Sequence, residues 1–383
     1  MKNNSVLLLR ILLAIVALQI PVIGLCDSGT GWFKNLFESK GKNMKEVAVK
    51  VAELHEDKDI EIWGLDFSPD GKYLAATSPT TLEVQIWDWQ NKRITQTLEK
   101  KGSDLMTTEP IRYSPDGRLL VWCGGVVVKI WNTNTWELVH TIDGTSGITA
   151  AGGGCNAIDF TPDGKSLIGV FQRTPVKSGD TLTIYDTSTW QPVWGLRTVP
   201  FYPKALAISP DGKFAAIGGG VYDDKGTLTQ QIAVVDLAEH KIVRTIKNTV
   251  DFDVGRLAWS PDGIHLTAMG RRARDGFANH GQGVYTSGPD TVMVFDVHSG
   301  EQVAGEQLEG IGNSSLRYTP DGKYLIEGDM DGLGNGLGIR IWDGQHHELL
   351  QVIPGNVGSL AVSRDGHYFA AGSLKDITVW QLK

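Results

Sequence analysis

From about residue 46 to its end, the chain is a succession of short segments in which apolar and polar residues alternate, each bounded by turn-forming residues. Trp63-Gly64-Leu65-Asp66-Phe67 precedes one such turn and Tyr73-Leu74-Ala75-Ala76 follows it. A period of two marks a half-buried strand. The turns share a tetrapeptide: Ser-Pro-Asp-Gly ending at Gly71, Gly117, Gly212 and Gly263, Thr-Pro-Asp-Gly ending at Gly164 and Gly322, and Ser-Arg-Asp-Gly ending at Gly366. Its aspartates, Asp70, Asp116, Asp163, Asp211, Asp262, Asp321 and Asp365, lie 46, 47, 48, 51, 59 and 44 positions apart. Proline presets φ for the first central position, aspartate bonds the local backbone, and glycine accepts the left-handed conformation, so each tetrapeptide turns a hairpin.

A third strand ends each unit's core on a recurring signature: Ile86-Trp87-Asp88, Ile130-Trp131-Asn132, Ile184-Tyr185-Asp186, Val234-Val235-Asp236, Val294-Phe295-Asp296, Ile341-Trp342-Asp343 and Val379-Trp380-Gln381. A fourth strand follows a polar turn, as in Arg93 to Leu98, Glu137 to Ile142 and Lys241 to Ile246. Four antiparallel strands per unit, repeated seven times, predict an all-β, seven-bladed β-propeller over residues 46–383. The seventh unit stops after its third strand, which would leave an unpaired edge. The alternating stretch Glu46 to Leu54 has the length and period to supply the missing strand, and we expect it to pair with Ile377 to Leu382.

With turn and Trp-Asp signatures in register through seven units, the chain resembles the WD-repeat (WD40) β-propeller family, in a form similar to bacterial exported propellers that rely on the turn tetrapeptide. The Gly-His dipeptide that many eukaryotic members carry before strand one is missing, so the resemblance does not extend to their Trp-Ser-His-Asp network. It implies a rigid, non-catalytic platform for a protein or peptide partner.

In such a fold the loops from strand two to three share a face with the connections between blades, and here they lengthen in four consecutive blades: Gln172 to Asp180, Gly219 to Gln230, Gly270 to Asp290 and Gly328 to Gly338. Loops on a rigid scaffold concentrate function. The longest carries Arg271, Arg272, Arg274, His280 and Tyr285, residue types that dominate binding hot spots and suit a carboxylate- or phosphate-bearing partner. Asp223 and Asp224 are candidates in the fourth-blade loop. Asp329, Asp331 and Asn335 alternate in the sixth-blade loop in the manner of Ca²⁺ ligands, but the bidentate glutamate of an EF-hand loop has no counterpart, and a glycine-rich loop is the simpler reading. His346 and His347 fall in a polar turn. Cys123 and Cys155 belong to adjacent blades on this same face, where a disulfide needs Cα atoms within roughly 7 Å.

The first 26 residues have the layout of a secretory signal peptide: Lys2 and Arg10, an apolar run from Ile11 to Leu18, then a break at Gln19, Pro21 and Gly24. Cleavage is expected before Asp27, giving an exported, periplasmic or envelope-associated protein in which a disulfide persists. An uncleaved membrane anchor and a lipoprotein modified at Cys26 are the competing readings; the interrupted apolar run opposes the first and the bulky Leu25 the second. Residues 27–45 read as a linker, with Trp32, Phe33, Leu36 and Phe37 on one helical face of segment 31–38, able to meet a membrane surface, a partner or the domain itself.

Composition narrows the choice of partner. With 36 basic and 44 acidic residues, net charge −8, the chain is not a general nucleic-acid binder. Twelve Trp, 11 Phe and 9 Tyr support a packed core, and 46 Gly many turns. The sequence contains no G-x-S-x-G, H-E-x-x-H, C-x-x-C or phosphate-loop motif and no cofactor signature. Propeller enzymes place scattered residues around the axis, so an envelope hydrolase of lactonase type stays as the alternative to a platform, beside a scaffold component of an envelope assembly.

Overall fold

In the computed structural model, described residues span 44–383 apart from 56–60, 80, 82, 100–109, 125–126, 144–153, 172–180, 197–200, 223–227, 247–251, 273–289, 308–312, 330–337 and 374. The signal segment and residues 31–38 lie outside them. Seven four-stranded antiparallel sheets follow one another along the chain. Blade 1 comprises Gly64–Phe67, Tyr73–Thr77, Glu83–Asp88 and Arg93–Glu99. Blade 7 comprises Ser359–Val362, Tyr368–Gly372 and Asp376–Leu382, completed by Ala48–His55. That closing strand runs antiparallel to the last, from Ala48 opposite Leu382 to His55 opposite Asp376, with a bulge between Lys50 and Ala52. The expected N-terminal closure is therefore the observed one. Ala52 and Leu54 join a core cluster with Leu65 and Phe67 of blade 1 and Ile377 and Val379 of blade 7.

The apolar core lies between blades. Val84, Ile86 and Leu98 of blade 1 pack on Ile111, Leu120 and Trp122 of blade 2, and the other interfaces repeat this arrangement. The hairpin turns are built alike. Gly71 N–H donates to the Ser68 carbonyl at 2.8 Å, and the Ser68 hydroxyl donates to Asp70 at 2.7 Å while accepting from Tyr73 N–H. The seven turn glycines have φ of 70–74°. At Gly212 a Cβ would also sit 3.1 Å from the ring of Pro162 in the preceding turn, so this position excludes side chains twice over.

The aspartate of the Trp-Asp signature is a turn former. Asp186 Oδ1 accepts from the N–H groups of Ser188 and Thr189 at 2.9 Å each, and Trp190 N–H returns to the Asp186 carbonyl at 2.7 Å. This winds the fourth residue after the aspartate into the left-handed region, at Lys92, Trp136, Trp190, His240 and His347 as well as at Gly300.

The connections of blades 4 and 5 are shorter than the sequence expectation. In blade 4, strand two continues to Tyr222 and strand three begins at Leu228, so Gly219–Gln230 is largely ladder, with Gly220 opposite Gln230. A run of three glycines reads as loop, yet Gly218 is small because the next blade approaches it: a Cβ there would meet Val254 Cγ1 at 2.3 Å. In blade 5, strand two extends to Arg272 and strand three begins at Asp290. Arg271 and Arg272 thus belong to the ladder, opposite Asp253 and Phe252.

Candidate functional site: the axial cavity and the loop-bearing face

Strand one of each blade faces the axis. Its residues adjacent in sequence point alternately toward the blade interface and toward the channel. The position four residues before each turn aspartate holds Asp66, Arg112, Asp159, Ala207, Ala258, Arg317 and Ala361 in chain order. Four charged side chains thus stand where the other three blades present alanine. Arg256 sits two residues earlier in blade 5, and with Lys204 it lines a cavity of about 320 Å³ that Arg112, Asp159 and Arg317 also line. Trp63, Pro110, Asn156, Gly255 and Gly358 contribute from the beginnings of strand one, so the mouth opens on the face that carries the strand-two-to-three connections. Arg112, Asp159 and Arg317 are shared with a second cavity, of about 410 Å³, toward the hairpin-turn face, and mark the waist of the channel.

The geometry of the three arginines repeats. Nη1 of Arg112, Arg256 and Arg317 each donates to the carbonyl of the residue before it, Ile111, Gly255 and Leu316, at 2.7, 2.8 and 2.8 Å. Arg112 Nε also lies 3.7 Å from Asp159 Oδ2. Asp66 Oδ2 accepts from Tyr113 N–H at 2.7 Å, which ties blade 1 to blade 2. Burial pushes the Asp66 carboxyl up to about 6, against the pull of Arg112, the Tyr113 hydrogen bond and Arg317. Burial, and then Arg112, lower the Arg317 guanidinium to about 9. Arg256 is lowered by the same two causes.

The sequence-derived candidates fall elsewhere. Arg271 and Arg272 end a strand on the loop-bearing face. Arg274, His280, Tyr285, Asp223, Asp224, Asp331 and Asn335 lie outside the described residues. Asp329 is buried at the end of its strand, its Oδ2 3.6 Å from Arg340 Nη2, while Arg340 Nη1 donates to Glu327 Oε1 at 2.6 Å. It is part of a buried ionic triad within the blade. Cys123 and Cys155 are joined in a disulfide between blades 2 and 3, with Cα atoms 6.0 Å apart. Among the described residues, Glu53, His55 and Asp376 on the closing strand and its partner could gather a metal ion, though His55 Nδ1 and Asp376 Oδ1 already share a hydrogen bond of 2.5 Å. The axial charges escaped motif-based reading, because each is a single polar residue in an alternating strand. Aligning the units on the turn aspartate is the signal that exposes them.

Residues 48–88 and 347–381 match the family model described as WD domain, G-beta repeat. Curated relatives include SEC12-like protein 2 of Arabidopsis thaliana, 24% identical over 55% of this chain and 50% of that protein. The WD repeat-containing protein WDS homolog of the same plant is 27% identical over 49% of this chain and 32% of that protein. Hydrazine synthase subunit beta of Kuenenia stuttgartiensis is 23% identical over 38% and 39%. The chain spans half or less of the length of each of these relatives. Among solved structures, Kuenenia stuttgartiensis hydrazine synthase superposes with a TM-score of 0.68 at 18% identity, covering 85% of this chain and 97% of that one, which is a likeness of fold. The seven four-stranded blades make this chain a β-propeller, and two of its segments match the WD-repeat model.

Proposed function

We propose that this protein is a non-catalytic interaction platform of the cell envelope that binds a protein or peptide on the face bearing the strand-two-to-three connections of blades 3–6. One observation carries the reading. The connections of blades 3–6 lengthen in sequence on that face, around one mouth of the axial channel, whereas the opposite face is a ring of seven nearly identical hairpin turns. A rigid disc with one uniform and one elaborated face concentrates variation where a partner is met. The envelope location rests on the signal-like first 26 residues and is supported by the disulfide, since such bonds persist in oxidising compartments.

The test is affinity capture from a cell-envelope extract with the full chain and with a variant whose residues 273–289 are replaced by a tight turn. Loss of a specific protein from the variant, with an unchanged melting transition, supports the platform. Identical captures by the two baits refute a role for that loop.

A further inference from the structure

The axial cavity holds a charge that the rest of the molecule does not. The protein carries a net charge of −8, yet the cavity wall presents Arg112, Lys204, Arg256 and Arg317 against Asp159, with Asp66 beside them. These residues come from six strands in six blades, so no local sequence feature of one repeat accounts for the excess. The common tether of the three guanidiniums to their own preceding carbonyls fixes the groups at the wall. A guanidinium has five donors in a planar fork that matches oxyanions. Pre-positioned donors lower the ordering cost of binding.

We infer that the axial cavity is a binding site for a small oxyanion, a phosphate or carboxylate group held by the guanidiniums of Arg112, Arg256 and Arg317 and reached past Lys204 at the rim. The depressed basicity of Arg317 and Arg256 accords with it, since burial and a neighbouring cation oppose their charge and an anion would relieve both. The volume of about 320 Å³ admits a phosphate or a small organic acid. This site stands apart from the platform reading, because a free anion needs no partner protein.

Calorimetric titration of the full chain with inorganic phosphate and with succinate, each against chloride at constant ionic strength, tests the inference. One site is expected, at least tenfold tighter for phosphate or succinate than for chloride, and the preferred one names the group. Arg317→Gln and Arg256→Gln should each weaken binding about tenfold or more, the size expected for a charged hydrogen bond. Asp66→Asn should tighten it by removing a like charge. Lys204→Gln, at an exposed rim position, should weaken it measurably and keeps the test decisive if an arginine variant does not fold. The inference is overturned if neither anion outbinds chloride, or if the folded arginine and lysine variants bind as wild type does.

Discussion

Single side chains decide the turns on which the whole repeat depends. Asp70 shows how. Burial pushes its carboxyl up, and the bonds from the Ser68 hydroxyl and Lys72 N–H outweigh it and hold the group below its usual value. Asp66 is the opposite case, raised from 3.8 to about 6. Its main neighbours are Arg112, Asp159, Arg317 and the Tyr113 N–H. Because its folded value exceeds the unfolded one, its favourable contribution is complete below about 3.8 and is lost as pH rises through about 6. Melting curves should therefore show Asp66→Asn gaining stability relative to wild type between pH 4 and pH 7.5; a constant difference would contradict the assignment. Lys92, at φ 54°, sits where blade 5 places Gly300. Lys92→Gly should raise stability by up to about 1 kcal/mol in urea denaturation, because glycine bears no steric penalty there.

At the scale of the element, the strands were largely legible because turn and signature recur at fixed offsets. Their extensions in blades 4 and 5 were not, since backbone pairing past Gly218 and Gly270 needs no side-chain pattern. The axial charges were hidden for a related reason: Arg112 alone looks like the polar half of an alternation, and only its offset from Asp116 puts it beside Arg317. The Glu327–Arg340–Asp329 triad was hidden because charged residues on a strand normally signal its exposed face, whereas these are buried. Removing the shared partner strands two carboxylates in the core. Arg340→Ala should cost about 3–5 kcal/mol in denaturation, while replacing all three residues by apolar ones should recover much of that loss.

Across the whole molecule, closure joins the two ends of the propeller, and the disulfide fastens blades 2 and 3 near the face that carries the strand-two-to-three connections. The bridge spans 32 residues, and its removal by Cys123→Ser with Cys155→Ser should cost about 4 kcal/mol by loop entropy. Denaturant midpoints with and without reductant check this independently. Hydrogen–deuterium exchange of the full chain with and without its captured partner tests directly which face meets that partner. Protection should gather at the beginnings of strand one and in the connections at 172–180, 222–228, 272–290 and 329–338. Protection confined to the hairpin turns around Gly71, Gly117 and Gly164 would contradict the account.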